Sequence, residues 1–133
     1  MPGSFVDTNV LVYLAQCDAG KAERVEQLLG LAPVVSVQVL NELGNVLRRK
    51  AAFSWSETRG FLTIVRDLTQ VVPLTVEIHD LGLAIAERFT LSIYDAMIVA
   101  AAQTAACDIL WSEDMQHGLR LENGPEIRNP FRG

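Results

Sequence analysis

Short β-branched stretches alternate with helix-period stretches along almost the whole sequence, and this alternation restricts the fold more than any other feature. Strand-like segments fall at 4–6, 34–36, 71–74, 108–111 and 126–128. Helical patterns fill the intervals at 10–17, 22–29, 39–49, 57–68, 76–89 and 93–106. A strand that returns through a helix to a parallel neighbour makes a right-handed crossover. The sequence therefore predicts an α/β fold, a three-layer α/β/α sandwich with a parallel central sheet. The runs Val34-Val35 and Ile109-Leu110-Trp111 suit strands covered on both faces. The helix over 93–106 is apolar almost all round and is expected in the interior. Turn-like punctuation at 18–20, 30–33, 72–73 and 123–125 marks connections rather than linkers. One domain over 1–133 follows, large enough to bury a core without a disulfide or structural metal.

Composition narrows the class. The longest apolar run, 96–102, is far short of the roughly twenty residues that cross a bilayer. No basic segment precedes the apolar stretch at 10–15, and Asp7 lies just upstream, so no secretory signal is read and a cytoplasmic location is expected. Cys17 and Cys107 form no C-x-x-C pair and are expected as free, buried thiols. A net charge of -5 argues against a general nucleic-acid coat protein. The charge is nevertheless segregated: residues 21–66 carry seven basic and four acidic groups, residues 67–127 two basic and ten acidic. No P-loop lysine motif, G-x-G-x-x-G, G-x-S-x-G or H-E-x-x-H occurs, which removes support for nucleotide, hydride and serine-hydrolase chemistry.

The acids then sort by edge. In a parallel sandwich, ligands bind where the carboxyl ends of strands meet helix N-termini. Asp7 directly follows the first strand, and Glu42 lies in the early turns of the helix after the second. Asp95 sits in the first turn of the buried helix, and Asp114 just beyond the strand ending near Trp111. All four reach one edge, whereas Asp67 and Asp108 precede strands at the other. Glu77, Asp80 and Glu113 are left ambiguous by the same ordering. Apolar neighbours point to partial burial of Asp7, Glu42 and Asp95. Two carboxylates about 5 Å apart repel by roughly 3 kcal/mol at an effective dielectric near 20, and burial adds to that cost. Four gather only if some take up protons or a divalent cation neutralises them. Oxygen donors without His or Cys favour Mg²⁺ or Mn²⁺ over Zn²⁺. Local roles compete: Ser92 and Asp95 match the S-x-x-D capping box, and Asp7-Thr8-Asn9 suits a capped strand-to-helix turn. Glu42, flanked by leucine-bearing positions inside a helix, has no capping role.

These residues are also where the chain resembles a PIN domain, specifically the VapC-type toxins of bacterial toxin–antitoxin pairs. Val6-Asp-Thr-Asn-Val-Leu-Val12 resembles that family's opening strand and first acid, Val39-Leu-Asn-Glu-Leu43 its second, and Tyr94-Asp-Ala-Met-Ile98 its third. Ser112-Glu-Asp114 is similar to its T-x-D element, with Ser112 keeping the hydroxyl. His117 stands where many relatives carry an aromatic residue. The resemblance implies a metal-dependent ribonuclease acting on RNA, with Asp7, Glu42, Asp95 and Asp114 as metal-binding and catalytic residues. It also implies a homodimer held inactive by a VapB-type antitoxin. Asn9 and Ser112 are expected to orient the acids or to cap backbone turns.

Arg49 lies seven residues from Glu42, on nearly the same helical face, and is a candidate RNA contact, although cations there also complement the helix dipole. Phe53-Ser-Trp55 reads as a core staple in preference to an exposed partner surface. Two other functions remain open at this level. Asp7-Thr-Asn-Val10 loosely matches the haloacid-dehalogenase D-x-D-x-[VT] element but lacks the second Asp. A non-catalytic α/β interaction module would hold a cation for stability alone.

Overall fold

A computed structural model describes residues 3–132. The described strands are β1 (Ser4–Val6), β2 (Val34–Ser36), β3 (Gln70–Val72), β4 (Ile109–Trp111) and β5 (Glu126–Arg128). They form one sheet in the order β3-β2-β1-β4-β5, with every pairing parallel. Successive strand residues face opposite sides of a sheet. Phe5 and Val6 are both fully buried, so both faces of the central strand are covered, as the sandwich requires. At the edge, β3 is largely exposed.

Among the described residues six α-helices flank the sheet: α1 (Thr8–Leu11), α2 (Ala19–Leu29), α3 (Val37–Arg49), α4 (Trp55–Leu68), α5 (Val76–Phe89) and α6 (Ile93–Thr104). The helix expected over 10–17 begins earlier and is split. α1 starts immediately after Asp7, whose side chain caps it, and the chain tightens into a 3-10 turn over Val12–Ala15. In α3, Val39, Leu43 and Leu47 are buried at four-residue spacing, a stripe that fixes which face meets the core. α6 is buried continuously from Ala96 to Ala102. Its closest partner is α5, where Gly82 makes room: a Cβ there would lie 2.9 Å from Met97 Cε and 3.4 Å from Met97 Cα.

Two expectations are corrected. Cys107 is buried, but Cys17 is exposed in the turn after the 3-10 segment. Trp55 is 60% exposed rather than packed in the core. Ser54 instead caps α4 in a reciprocal box with Glu57, which sets Trp55 in the first turn facing Arg48, 4.2 Å from its ring centroid. Phe53 alone packs inward, edge-on to Phe61.

Candidate active site

The strand order reverses at β1. From there the chain moves outward through β2 to β3, then returns to place β4 on the other side. A crevice at the carboxyl ends of β1 and β4 is the outcome, and the Asp7 amide donates to the Trp111 carbonyl across it at 2.9 Å. Asp7, Glu42, Asp95 and Asp114 all line one cavity of about 410 Å³ at this edge. None of the ambiguous acids joins them. Glu113 faces the other way, accepting from Tyr13 Oη and from Lys21 Nζ, the latter at 2.9 Å, while Glu77 and Asp80 are exposed on α5.

Asp7 is the most enclosed of the four, 4% exposed. Its Oδ1 accepts from the Thr8 amide at 2.7 Å, and its Oδ2 accepts from Ser112 Oγ at 2.9 Å and Asn9 Nδ2 at 3.3 Å. Burial pushes its carboxyl up to about 7, the Ser112 and Thr8 bonds oppose the rise, and the charges of Asp95 and Glu42 add to it. Asp95 is likewise raised, by burial first and by the charge of Asp114, against a lowering contact from Ser92. Its amide donates to Ser92 Oγ at 3.1 Å, so the capping role is real and coexists with a place in the cavity wall.

The supporting residues knit separate elements together. Ser112, fully buried, receives a bond from Asn9 Nδ2 at 3.2 Å while donating to Asp7. Asn9 Oδ1 accepts from the Glu113 amide at 3.0 Å, tying the turn after β1 to the loop that carries Asp114. Glu42 is held by Thr8 Oγ1 at 3.3 Å and by Gln38 Nε2 at 2.8 Å. Gln38 Nε2 also donates to the Tyr94 carbonyl at 2.9 Å, which fastens α3 to the start of α6 beside Asp95. Sequence reasoning missed Thr8, Gln38 and the cavity cation Lys50. A signal for Gln38 existed: an amide four residues before Glu42, next to the buried stripe. Arg49 is exposed at the end of α3, and Lys50 is the cation that lines the cavity. His117 accepts from the Asn129 amide at 2.9 Å and thereby anchors its loop to the chain beyond β5.

The described lining holds four carboxylates and neither histidine nor thiol, a donor set suited to a hard divalent cation. Among the described residues no three of these acids are drawn into a closed ligand cage. The raised proton affinities of Asp7 and Asp95 come first from burial, with a smaller contribution from the neighbouring carboxylates that share the cavity.

Residues 4–118 match the PIN domain family. No curated protein matches the chain. A chain of a toxin–antitoxin complex from Klebsiella pneumoniae aligns with a TM-score of 0.74 at 15% identity, over 97% of this chain and 98% of that one. The VapC20 toxin of Mycobacterium tuberculosis, which cleaves the sarcin-ricin loop, aligns at 0.69 and 18% identity, over 84% and 90%. A chain of DNA-bound VapBC from Salmonella typhimurium aligns at 0.69 and 18%, over 98% and 99%. Likeness at these identities is a likeness of fold.

Proposed function

Because this chain belongs to the PIN domain family, we propose that it is a metal-dependent endoribonuclease and the toxin of a VapBC-type toxin–antitoxin pair. The observation that carries this reading is the meeting of Asp7, Glu42, Asp95 and Asp114, from four separate parts of the chain, on one cavity. These four would hold one or two divalent ions, Mg²⁺ in the first instance and Mn²⁺ as an alternative. When bound, such an ion supplies Lewis-acid charge at the phosphate and an acidified water for in-line attack. Asn9 and Ser112 keep the Asp7 carboxylate aimed through their hydrogen bonds. Thr8 and Gln38 do the same for Glu42. Lys50, on the cavity wall, offers a positive charge to the RNA phosphate.

The neighbouring folds belong to toxin–antitoxin complexes, which supports a VapB-type antitoxin as partner, and a homodimer is the state the family resemblance implies for the toxin itself. Concentration-dependent mass measurement tests the dimer. No described helix is long and apolar enough to cross a membrane. The decisive experiment incubates purified protein with total RNA, with and without Mg²⁺ or Mn²⁺, and maps the new ends. Cleavage is expected only with the ion, and Asp95→Asn is expected to abolish it. Cleavage by Asp95→Asn at the wild-type rate would remove the assignment.

A further inference from the structure

The segregated charge of the sequence has a spatial outcome beside the acid cavity. Lys21 and Arg24, from the basic half, meet Arg132 from the far end of the chain in a second hollow of about 510 Å³. Phe131 and Pro130 complete its apolar wall, and Asp18 is the one acid among its described lining residues. That acid caps α2, its Oδ1 accepting from the Lys21 amide at 3.1 Å. Two cations with no ion-pair partner among the described residues, Arg24 and Arg132, therefore face one hollow beside Lys21, whose charge Glu113 balances at 2.9 Å, in a protein whose net charge is -5.

The arrangement is built. Arg24 Nε donates to the Pro130 carbonyl at 3.0 Å and its guanidinium lies 5.4 Å from the Trp111 ring centroid, so it is held at the wall. Lys21 Nζ sits 5.0 Å from the Phe131 centroid, and Phe131 stands edge-on to Tyr13 at 5.0 Å. Arg132 is exposed and has no ion-pair partner among the described residues. Position completes the case. Lys21 bonds to Glu113, the residue immediately before Asp114, so the basic hollow and the acid cavity lie on either side of one short loop. Lys50 lies on the other cavity's wall.

We propose that this hollow is an accessory binding site for the RNA backbone, in which Arg24 and Arg132 take a phosphate flanking the cleaved bond and Phe131 offers its ring to the adjoining base. The proposal rests on the nuclease reading for its purpose, but its binding chemistry is testable without cleavage. Cation and aromatic together fit a single strand: the charges track the backbone and the ring accepts any base. A neighbouring acid cavity that needs a metal contributes little affinity of its own, so a separate grip on the strand has a use.

The test uses Arg132→Ala, Arg132→Lys and the double variant Arg24→Gln/Arg132→Ala, leaving Lys21 intact because it also holds Glu113. Binding of a labelled single-stranded oligoribonucleotide is measured by fluorescence anisotropy in EDTA across a salt series. Each lost phosphate contact should flatten the logarithmic salt slope by about 0.7 and weaken binding by up to about fivefold, with Arg132→Lys restoring the slope. In the presence of Mg²⁺, KM for a long RNA should rise in the double variant while kcat, and KM for a trinucleotide, stay at the wild-type values. An unchanged salt slope, or an equal loss on long and short substrates, overturns the proposal. So does displacement of an acidic peptide with RNA affinity unaltered, which would make the hollow a protein-binding site. Failure of the wild type to cleave any RNA would strike the nuclease reading alone, since the anisotropy series stands by itself.

Discussion

Asp7 is the most enclosed acid of the cavity. Its carboxyl holds a proton to about 7 in the folded chain, against an ordinary value of 3.8. Below the lower value both folded and unfolded states are protonated, and the group costs nothing. As pH rises between the two, the unfolded chain releases its proton first, so stability falls, and the full cost stands above the higher value. That cost is of the order of a few kcal/mol. Asp7→Asn removes the charge, with some loss because an amide cannot accept all three existing bonds. In EDTA at about pH 8 the variant should therefore be more stable than wild type, with the advantage fading toward pH 4. Chemical denaturation at the two pH values checks this, and a pH-independent difference would contradict it. Saturating Mg²⁺ should stabilise wild type preferentially, because the ion takes the place of the proton. RNA cleavage by the variant should fall by a factor on the order of 10² or more.

At the scale of elements, α3 delivers Glu42 by burying Val39, Leu43 and Leu47 and letting Gln38 bridge to α6. Gln38→Leu keeps that position filled but removes both donations. The Mg²⁺ concentration for half-maximal activity should rise about 10- to 100-fold with the melting temperature little changed, as a metal titration of cleavage would reveal. α5 and α6 depend on a different feature. Gly82→Val would push a branched side chain into Met97, at a cost of about 2–3 kcal/mol measurable by urea denaturation. Much of this scaffold was legible in the sequence. β1, β2, β5 and α5 fall where periodicity and turn residues put them, because local pattern and burial agree there. The four acids were legible for a similar reason: in a parallel sheet, chain order alone decides which edge a residue reaches. Lys50, the Glu113–Lys21 pair and the reach of Gln38 to Tyr94 were not, since each depends on side chains from distant segments meeting at particular rotamers, whereas the spacing of Gln38 to Glu42 was visible. Trp55 misled because a capping box governs its direction, and hydrophobicity says nothing about that.

Across the whole molecule, the acid cavity joins segments far apart in the sequence, from Asp7 to Asp114. β1 pairs with β2 and β4, so it cannot find its second partner until the chain past 109 is present. A fragment ending at residue 107 lacks β4, β5, Ser112 and Asp114. It should show no cooperative unfolding transition by circular dichroism and no cleavage of RNA. A sharp transition in that fragment would mean that β1 to β3 form an independent unit. The interlock between Asp7 and Ser112, 105 positions apart, also sets a schedule for synthesis. While the nascent polypeptide is still threading out of the ribosome, its first acid stays without the hydroxyl that aims it until the segment carrying Ser112 has emerged.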